Sequence, residues 1–196
     1  MADYLAALPR GLDSYPECTA AASMATFNKQ VRKVIIPGDW VPPPIADMMT
    51  RKLLDTEWVP EVHYHAMALA IADHHGLDAP SFKGFWYDVM RLMMVSASYG
   101  FLLRLLSSEH LVRVSAMRWR KFHRGPFNLE VHADNGASRM VLTYPPHLLN
   151  DTLALGYEGV FAAYGAASRA RGGRAERVAF TPVRLELRLL PSDERR

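Results

Sequence analysis

The hydrophobic spacing changes near residue 125, and this change constrains the fold more than any other feature of the chain. Before it, apolar residues recur at helical intervals; after it, apolar and polar residues alternate over 127–132, which predicts a β-strand. Asn135-Gly136 follows, a strong hairpin signal because both residues tolerate positive φ. A return strand is predicted from Arg139 to Tyr144, where Pro145-Pro146 ends it.

The first half of the chain is predicted to consist of helices and loops. Pro60 suits a first helical turn, and Gly76 suits the position after the last one. The segment Trp40–Pro44 is expected to be extended. Helices are predicted at 19–34, from Ile45 into Leu54, from Pro60 to His75, from Asp78 past Met93 with a bend near Gly100, and from Ser107 to Phe122.

The second half continues with a Gly- and Ala-rich helix at 148–168, which is expected to pack closely on the sheet. A flexible loop at 169–174 leads to one last strand at about 178–190. Its inward residues are predicted to be Val183, Leu185, Leu187 and Leu189, and its outward residues Arg184, Glu186 and Arg188. The order helices, hairpin, helix, strand predicts an α/β fold of the α+β type, a helical layer packed on one face of a small antiparallel sheet.

Composition limits the classes of protein that this chain can belong to. Its 196 residues suit a single domain, 1–196, with a helix-and-loop N-terminal segment at 1–57 and a frayed tail at 191–196. The net charge is only +3 and the chain has no run of like charges, and both facts argue against a nucleic-acid partner. The one cysteine, Cys18, allows no internal disulfide and suits a cytoplasmic protein. No targeting segment or membrane span is expected, because the N-terminus is acidic and no apolar run is long enough.

The segment from Arg118 to Gly125 carries the densest chemistry: two aromatic rings, an imidazole and four fixed positive charges. Trp119, Phe122 and His123 share one helical face. Two interpretations stay open. The three residues are a core anchor in which His123 bonds a backbone carbonyl, or they form a pocket wall beside which Arg118 or Arg124 binds a carboxylate or phosphate. Nucleic-acid binding by the mixture of arginines and aromatic rings is a third possibility.

The histidines, the methionines and the sequence motifs give no sign of a catalytic site. His63, His65, His74 and His75 do not converge at the spacing of a metal site, so no metal ligand is assigned. The Met residues near 90–94 suit either a core or an adaptable apolar cavity. The chain has no Gly-x-Ser-x-Gly elbow and no phosphate-binding glycine loop, and it shows no evident carboxylate pair. We therefore assign no catalytic residue and no cofactor.

Three short motifs carry a family resemblance over roughly two-thirds of the chain. They are Trp58-Val59-Pro60-Glu61-Val62-His63, Trp119-x-x-Phe122-His123-Arg124-Gly125 and Tyr144-Pro145-Pro146. This part of the chain resembles a family found mainly as paralogues in myxobacteria. That family is similar to the superfamily of vinyl-reductase-type domains, haem NO-binding domains and TRAPP transport subunits.

The resemblance implies helices on one face of an antiparallel sheet and the binding of a small hydrophobic molecule, a tetrapyrrole or a partner protein, often with pairing of subunits. Two departures limit what it implies. The Tyr-x-Ser-x-Arg motif of the haem NO-binding branch is absent, and no cysteine follows Cys18. Neither haem binding nor cysteine–metal binding is therefore carried over.

The function predicted from the sequence is a non-catalytic sensing domain of the bacterial cytoplasm. It would bind a small apolar or amphipathic molecule between the helical layer and the sheet. Met93, Met94, Trp119 and Phe122 are the predicted walls, and His123 and Arg124 would orient a polar group. The first alternative is a protein–protein scaffold or homodimerisation module without a ligand, and the second is a haem- or metal-binding protein.

Overall fold

The computed structural model describes residues 1–21, 37–54, 56–95, 116–117, 119–134, 137–167 and 174–190, with the backbone alone at 93–95 and 133–134. Residues 119–122 are helical and lead directly into a strand. The helices are α1 (Ala2–Ala7), α2 (Pro43–Thr50), α3 (Glu61–His75), α4 (Ala79–Val95) and α5 (Asp151–Ala167). The strands are β1 (Thr19–Ala21), β2 (Trp58–Pro60), β3 (His123–Arg124), β4 (Asn128–Asp134), β5 (Ala137–Thr143), β6 (Arg174–Thr181) and β7 (Arg184–Leu190).

The larger sheet has four antiparallel strands in the order β4-β5-β7-β6. The predicted hairpin is confirmed, since β4 and β5 pair from Asn128↔Thr143 to Asp134↔Ala137. One face carries the buried row Leu129, Leu142 and Leu185, which lie side by side in neighbouring strands. Helix α5 packs against β6 and β7. The α+β class and the antiparallel sheet are therefore confirmed.

The single last strand predicted at 178–190 is wrong. Two strands, β6 and β7, form a hairpin that turns at Pro182-Val183, so the order is helices, hairpin, helix, hairpin. Val183 lies in this turn and is exposed, contrary to the prediction, whereas Leu185, Leu187 and Leu189 are buried as expected. Pro182 lacks an N–H and cannot continue a ladder, and this was the available signal for the turn.

A second, three-stranded sheet, in the order β2-β1-β3, was not predicted. Ala20 pairs with Val59 on one side and with His123 on the other. The predicted helix at 19–34 is wrong at its start, because Thr19–Ala21 is β1. The rest of that prediction, 22–34, lies outside the described residues. In this sheet Pro60, the residue before α3, and Arg124, which follows the 119–122 helical segment and His123, pair with opposite sides of Thr19.

Helix α3 is the central helix of the fold. It begins at Glu61 and ends at His75, and Gly76 adopts φ 60°, so the predicted helix and its glycine cap are confirmed. Its residues from His65 to Ala72 are all buried, which is typical of a helix surrounded by other elements. The described helices include none that is long and apolar enough to cross a membrane.

The predicted glycine-rich helix is confirmed as α5, but its close glycine contacts are with α4. A Cβ on Gly159 would lie 2.2 Å from the carbonyl oxygen of Lys83, and one on Gly156 would lie 2.9 Å from the Phe82 ring. Helix α2 also differs from the prediction: it begins at Pro43, where proline suits a first turn, and ends at Thr50. The predicted bend near Gly100, the start of a helix at Ser107 and the tail at 191–196 lie outside the described residues.

Candidate functional site

A buried carboxylate and a buried imidazole meet where the helical layer joins the small sheet. Glu61, in the first turn of α3, is 0% exposed, and His123, in β3, is 5% exposed. Oε1 of Glu61 lies 2.5 Å from Nδ1 of His123. Because a carboxylate accepts, Nδ1–H of His123 is the donor. The backbone N–H of Glu61 donates to the carbonyl of Cys18 in the same region.

A second imidazole lies one helical turn along α3. His65 is 1% exposed, and its Nε2 lies 3.8 Å from Oε2 of Glu61 and 3.1 Å from the Tyr157 hydroxyl of α5. Burial lowers the pKa of His65 to about 4, against the opposing effect of Glu61. Burial also raises the pKa of Tyr157 well above its usual value. At neutral pH both groups are therefore uncharged.

Aromatic rings surround these polar groups. Trp119 stacks on His123 with ring centroids 3.8 Å apart and 17° between the planes. Phe127 stands edge-on to Trp119 at 5.0 Å and to Tyr157 at 5.9 Å. The indole Nε1–H of Trp119 donates to the carbonyl oxygen of Phe127 at 2.9 Å. The result is a small polar cluster, Glu61, His65, His123 and Tyr157, inside an apolar shell.

The chain directs His123 inward by changing from helix to strand at this residue. Successive residues of a strand point to opposite faces, so His123 is buried while Arg124 is exposed. Gly125 follows with φ 83°, and a Cβ there would lie 2.2 Å from the carbonyl oxygen of Glu17. Only glycine fits this turn, which leads the chain into β4.

The structure brings together some of the predicted site residues and separates others. Trp119 and His123 are buried in contact with each other, and Phe122 is half-buried beside them in sequence. Arg124 points away from His123, with its guanidinium 3.7 Å from the centroid of Trp58. The side chains of Met93 and Met94 and the whole of Arg118 lie outside the described residues.

Three members of the cluster, Glu61, His65 and Tyr157, were not predicted as site residues from the sequence; His65 was considered only as a metal ligand and was not assigned. The predicted partner of His123, a backbone carbonyl, is wrong: the partner is the carboxylate of Glu61. An acidic residue in a first helical turn is an ordinary helix-dipole feature, so Glu61 carries no distinctive local signal. Its spacing of four from His65 was the one available hint.

The other histidines of α3 do not join the cluster. His63 is half-buried, and burial lowers its pKa. His74 stacks on Trp40 with ring centroids 4.3 Å apart, and His75 stands edge-on to His74. In the part of the chain that the structure describes, no group of three His, Cys, Asp or Glu residues could hold a metal ion.

Two shallow surface grooves carry paired charges. One, of about 230 Å³, crosses the outer face of the larger sheet, where Glu186 binds Arg139 and Arg184. The hydrogen bond from Arg139 lowers the pKa of Glu186. The other, of about 410 Å³, lies beside Glu158, which pairs with Lys83 and Arg177. Because these charges neutralise one another, neither groove has a single-sign field for a ligand.

Solved structures of H-NOX domains have a fold similar to that of this chain. One is an H-NOX family member in which haem distortion was probed (13% identity, 90% of this chain and 98% of that chain, TM-score 0.59). Another is an oxygen-binding H-NOX domain related to soluble guanylate cyclases, in its oxygen complex (11% identity, 87% and 94%, TM-score 0.58). A third is a variant of the T. Tengcongensis H-NOX domain (12% identity, 87% and 96%, TM-score 0.56).

The chain has an H-NOX-like fold. The similarity extends over nearly the whole of those domains, at sequence identities that show the fold alone. No protein-family model matches the chain, and no curated protein matches it.

Proposed function

We propose that this protein is a sensing domain that binds a small apolar or amphipathic molecule beside the Glu61–His123 pair. The observation that carries the proposal is the polar cluster itself: Glu61, His65 and His123 are each at least nine-tenths buried in an aromatic shell. One of its atoms, Oε2 of Glu61, has no hydrogen-bond partner among the described residues. Ligand sites are mostly apolar with a few convergent polar groups, which is the composition found here.

The predicted site residues have distinct roles in this proposal. Trp119 supplies a flat apolar wall, and His123 presents a polar ring whose Nδ1 is already bound, so that Nε2 remains for a ligand. Met93, Met94 and Phe122 would complete the wall, since methionine side chains adapt to irregular ligands. Arg124 would act from the outer face of β3, where it covers Trp58.

Haem is the other ligand that the fold suggests, because the structures that share this fold include an H-NOX family member in which haem distortion was probed, but the described residues argue against it. A haem needs an axial ligand and an apolar slot for a large rigid macrocycle. Within the described ranges, the buried imidazoles that could serve as axial ligands are His65 and His123, and both are held by hydrogen bonds and ring packing. Phe127 and Phe161 occupy the space around Trp119. These residues do not fit a haem, whereas a small flexible molecule would displace fewer side chains.

Membership of the myxobacterial family, a cytoplasmic location and homodimerisation are parts of the same proposal. The resemblance of the Trp58–His63 and Trp119–Gly125 motifs supports the first. A scaffold without a ligand is the competing function, and it predicts self-association with no small molecule bound.

The test is to purify the protein from its native source, denature it, and identify the released small molecules by mass spectrometry. Adding the identified compound back to ligand-free protein should raise the melting temperature, because binding to the native state alone stabilises it. A preparation that releases no small molecule, and associates with itself in light scattering, would favour the scaffold. A released porphyrin would show that haem is the ligand.

A further inference from the structure

The carboxylate of Glu61 has one oxygen that no described group satisfies. Oε1 accepts from His123, while Oε2 is buried and has no hydrogen-bond partner among the described residues. Its neighbour in the cluster is Nε2 of His65 at 3.8 Å, which is beyond hydrogen-bond distance. A buried charged oxygen without a donor is costly, so this position is suited to an external donor.

His65 does not supply that donor. Burial raises the pKa of Tyr157, so its hydroxyl keeps its proton, and we assign that hydroxyl as the donor to Nε2 of His65, 3.1 Å away. A neutral imidazole carries one N–H, so the proton of His65 is on Nδ1, on the side of the Leu148 carbonyl. Nε2 therefore presents a lone pair, and nothing on His65 offers a hydrogen to Oε2 of Glu61.

The charge of Glu61 selects the sign of a ligand at the same point. The contacts of Trp119 and Phe127 with His123, and of Phe127 with Tyr157, form an apolar shell around the Glu61–His123 pair. A buried carboxylate oxygen in such a shell is an acceptor for a charged donor such as an ammonium group. A carboxylate or phosphate ligand would instead face Oε2 with like charge.

Resting on the proposed function, the geometry points to the ligand's chemical class: a small amphipathic amine, whose ammonium group donates to Oε2 of Glu61. Its apolar body lies against Trp119 and Phe127. His123 holds the carboxylate in place through Oε1, so it acts as a positioning residue toward the ligand's charged end.

The experiment compares three probes with the same apolar chain: hexylamine, hexan-1-ol and hexanoate. Each is titrated by calorimetry into the full chain at neutral pH, as wild type, Glu61→Gln and Glu130→Gln. Glu130 is an exposed carboxylate on the outer face of the larger sheet, so its variant controls for the loss of one negative charge.

Wild type and Glu130→Gln should bind hexylamine at least about tenfold more tightly than hexanoate. A charge-assisted hydrogen bond contributes more binding free energy than a tenfold ratio of affinities requires. Glu61→Gln should lose this preference. If Glu61→Gln does not fold, the amine-to-acid ratio of the wild type still decides. Equal binding of hexylamine and hexanoate to the wild type overturns the inference, and so does no binding of hexylamine. In either case a molecule released from the native protein would leave the proposed function standing.

Discussion

Nδ1 of His123 donates to Oε1 of Glu61 across 2.5 Å, joining the first turn of α3 to β3 although 62 residues separate the two in sequence. Both side chains are almost fully buried. This bond ties the helical layer to the small sheet at the point where the chain enters the larger sheet.

Removing His123 should destabilise the protein strongly. His123→Ala leaves the Glu61 carboxylate buried without its donor, and breaking one side of a buried pair costs about 3 kcal/mol or more. Urea unfolding of the wild type and the variant measures the change in the free energy of unfolding. The double variant Glu61→Gln/His123→Ala should lose less free energy of unfolding than the two single variants lose together. Once His123 is gone the carboxylate is already unpaired, so replacing it with an amide removes an unfavourable buried charge. Additive losses would mean that the pair is not coupled.

Stability should fall as the pH drops below about 6.5, the ordinary pKa of histidine. The folded-state pKa of His65 is lowered to about 4, so between these values the unfolded chain binds a proton that the folded chain does not. The free energy of unfolding of the wild type should therefore decrease by about 1 kcal/mol from this residue between pH 7.5 and 5.5. Because Gln does not titrate, urea unfolding of His65→Gln at the two pH values should show a decrease that is smaller by this amount. An unchanged pH dependence would contradict the assignment.

Helix packing between α4 and α5 should depend on Gly159. Its added Cβ would lie 2.2 Å from the Lys83 carbonyl oxygen, so Gly159→Ala must push the helices apart and should cost about 2 kcal/mol. Gly84 of α4 is the matched control, because a Cβ there meets nothing within 4 Å. Gly84→Ala should stabilise by about 0.5–1 kcal/mol through helix propensity alone. Thermal unfolding of the two variants gives the comparison, and equal effects would refute the close approach.

The turn after His123 should require Gly125 for space as well as conformation. Gly125 has φ 83°, and an added Cβ would lie 2.2 Å from the carbonyl oxygen of Glu17. Gly76 also has positive φ, at 60°, but its Cβ would meet nothing within 4 Å. Gly76→Ala should cost about 1 kcal/mol for the left-handed conformation, and Gly125→Ala distinctly more. Chemical denaturation measures both; similar losses would show that Glu17 moves aside without cost.

Local signals in the sequence were sufficient for part of the fold. The Asn-Gly pair and the alternation at 127–132 predicted the β4–β5 hairpin, and Pro60 with Gly76 predicted α3 within one residue. These features depend on residues adjacent in the chain, where backbone preferences act directly.

Pairings between distant segments could not be predicted in the same way. β1 has three residues and β3 has two, which is too short for an alternation, and their pairing joins residues near 20 with residues near 123. The carboxylate partner of His123 depends on that same pairing. The helical spacing predicted that Trp119 and His123 lie together, which the stacked rings confirm, whereas the contact of Glu61 with His123 follows only from the fold.

Side-by-side native mass spectra of the wild type and Glu61→Gln, prepared identically from the native source, test the central claim most directly. We expect the wild-type chain to carry an additional small molecule, and the folded Glu61→Gln chain to have lost it. A wild-type spectrum of the bare chain, or the same bound mass in both proteins, would contradict ligand recognition by the Glu61–His123 pair.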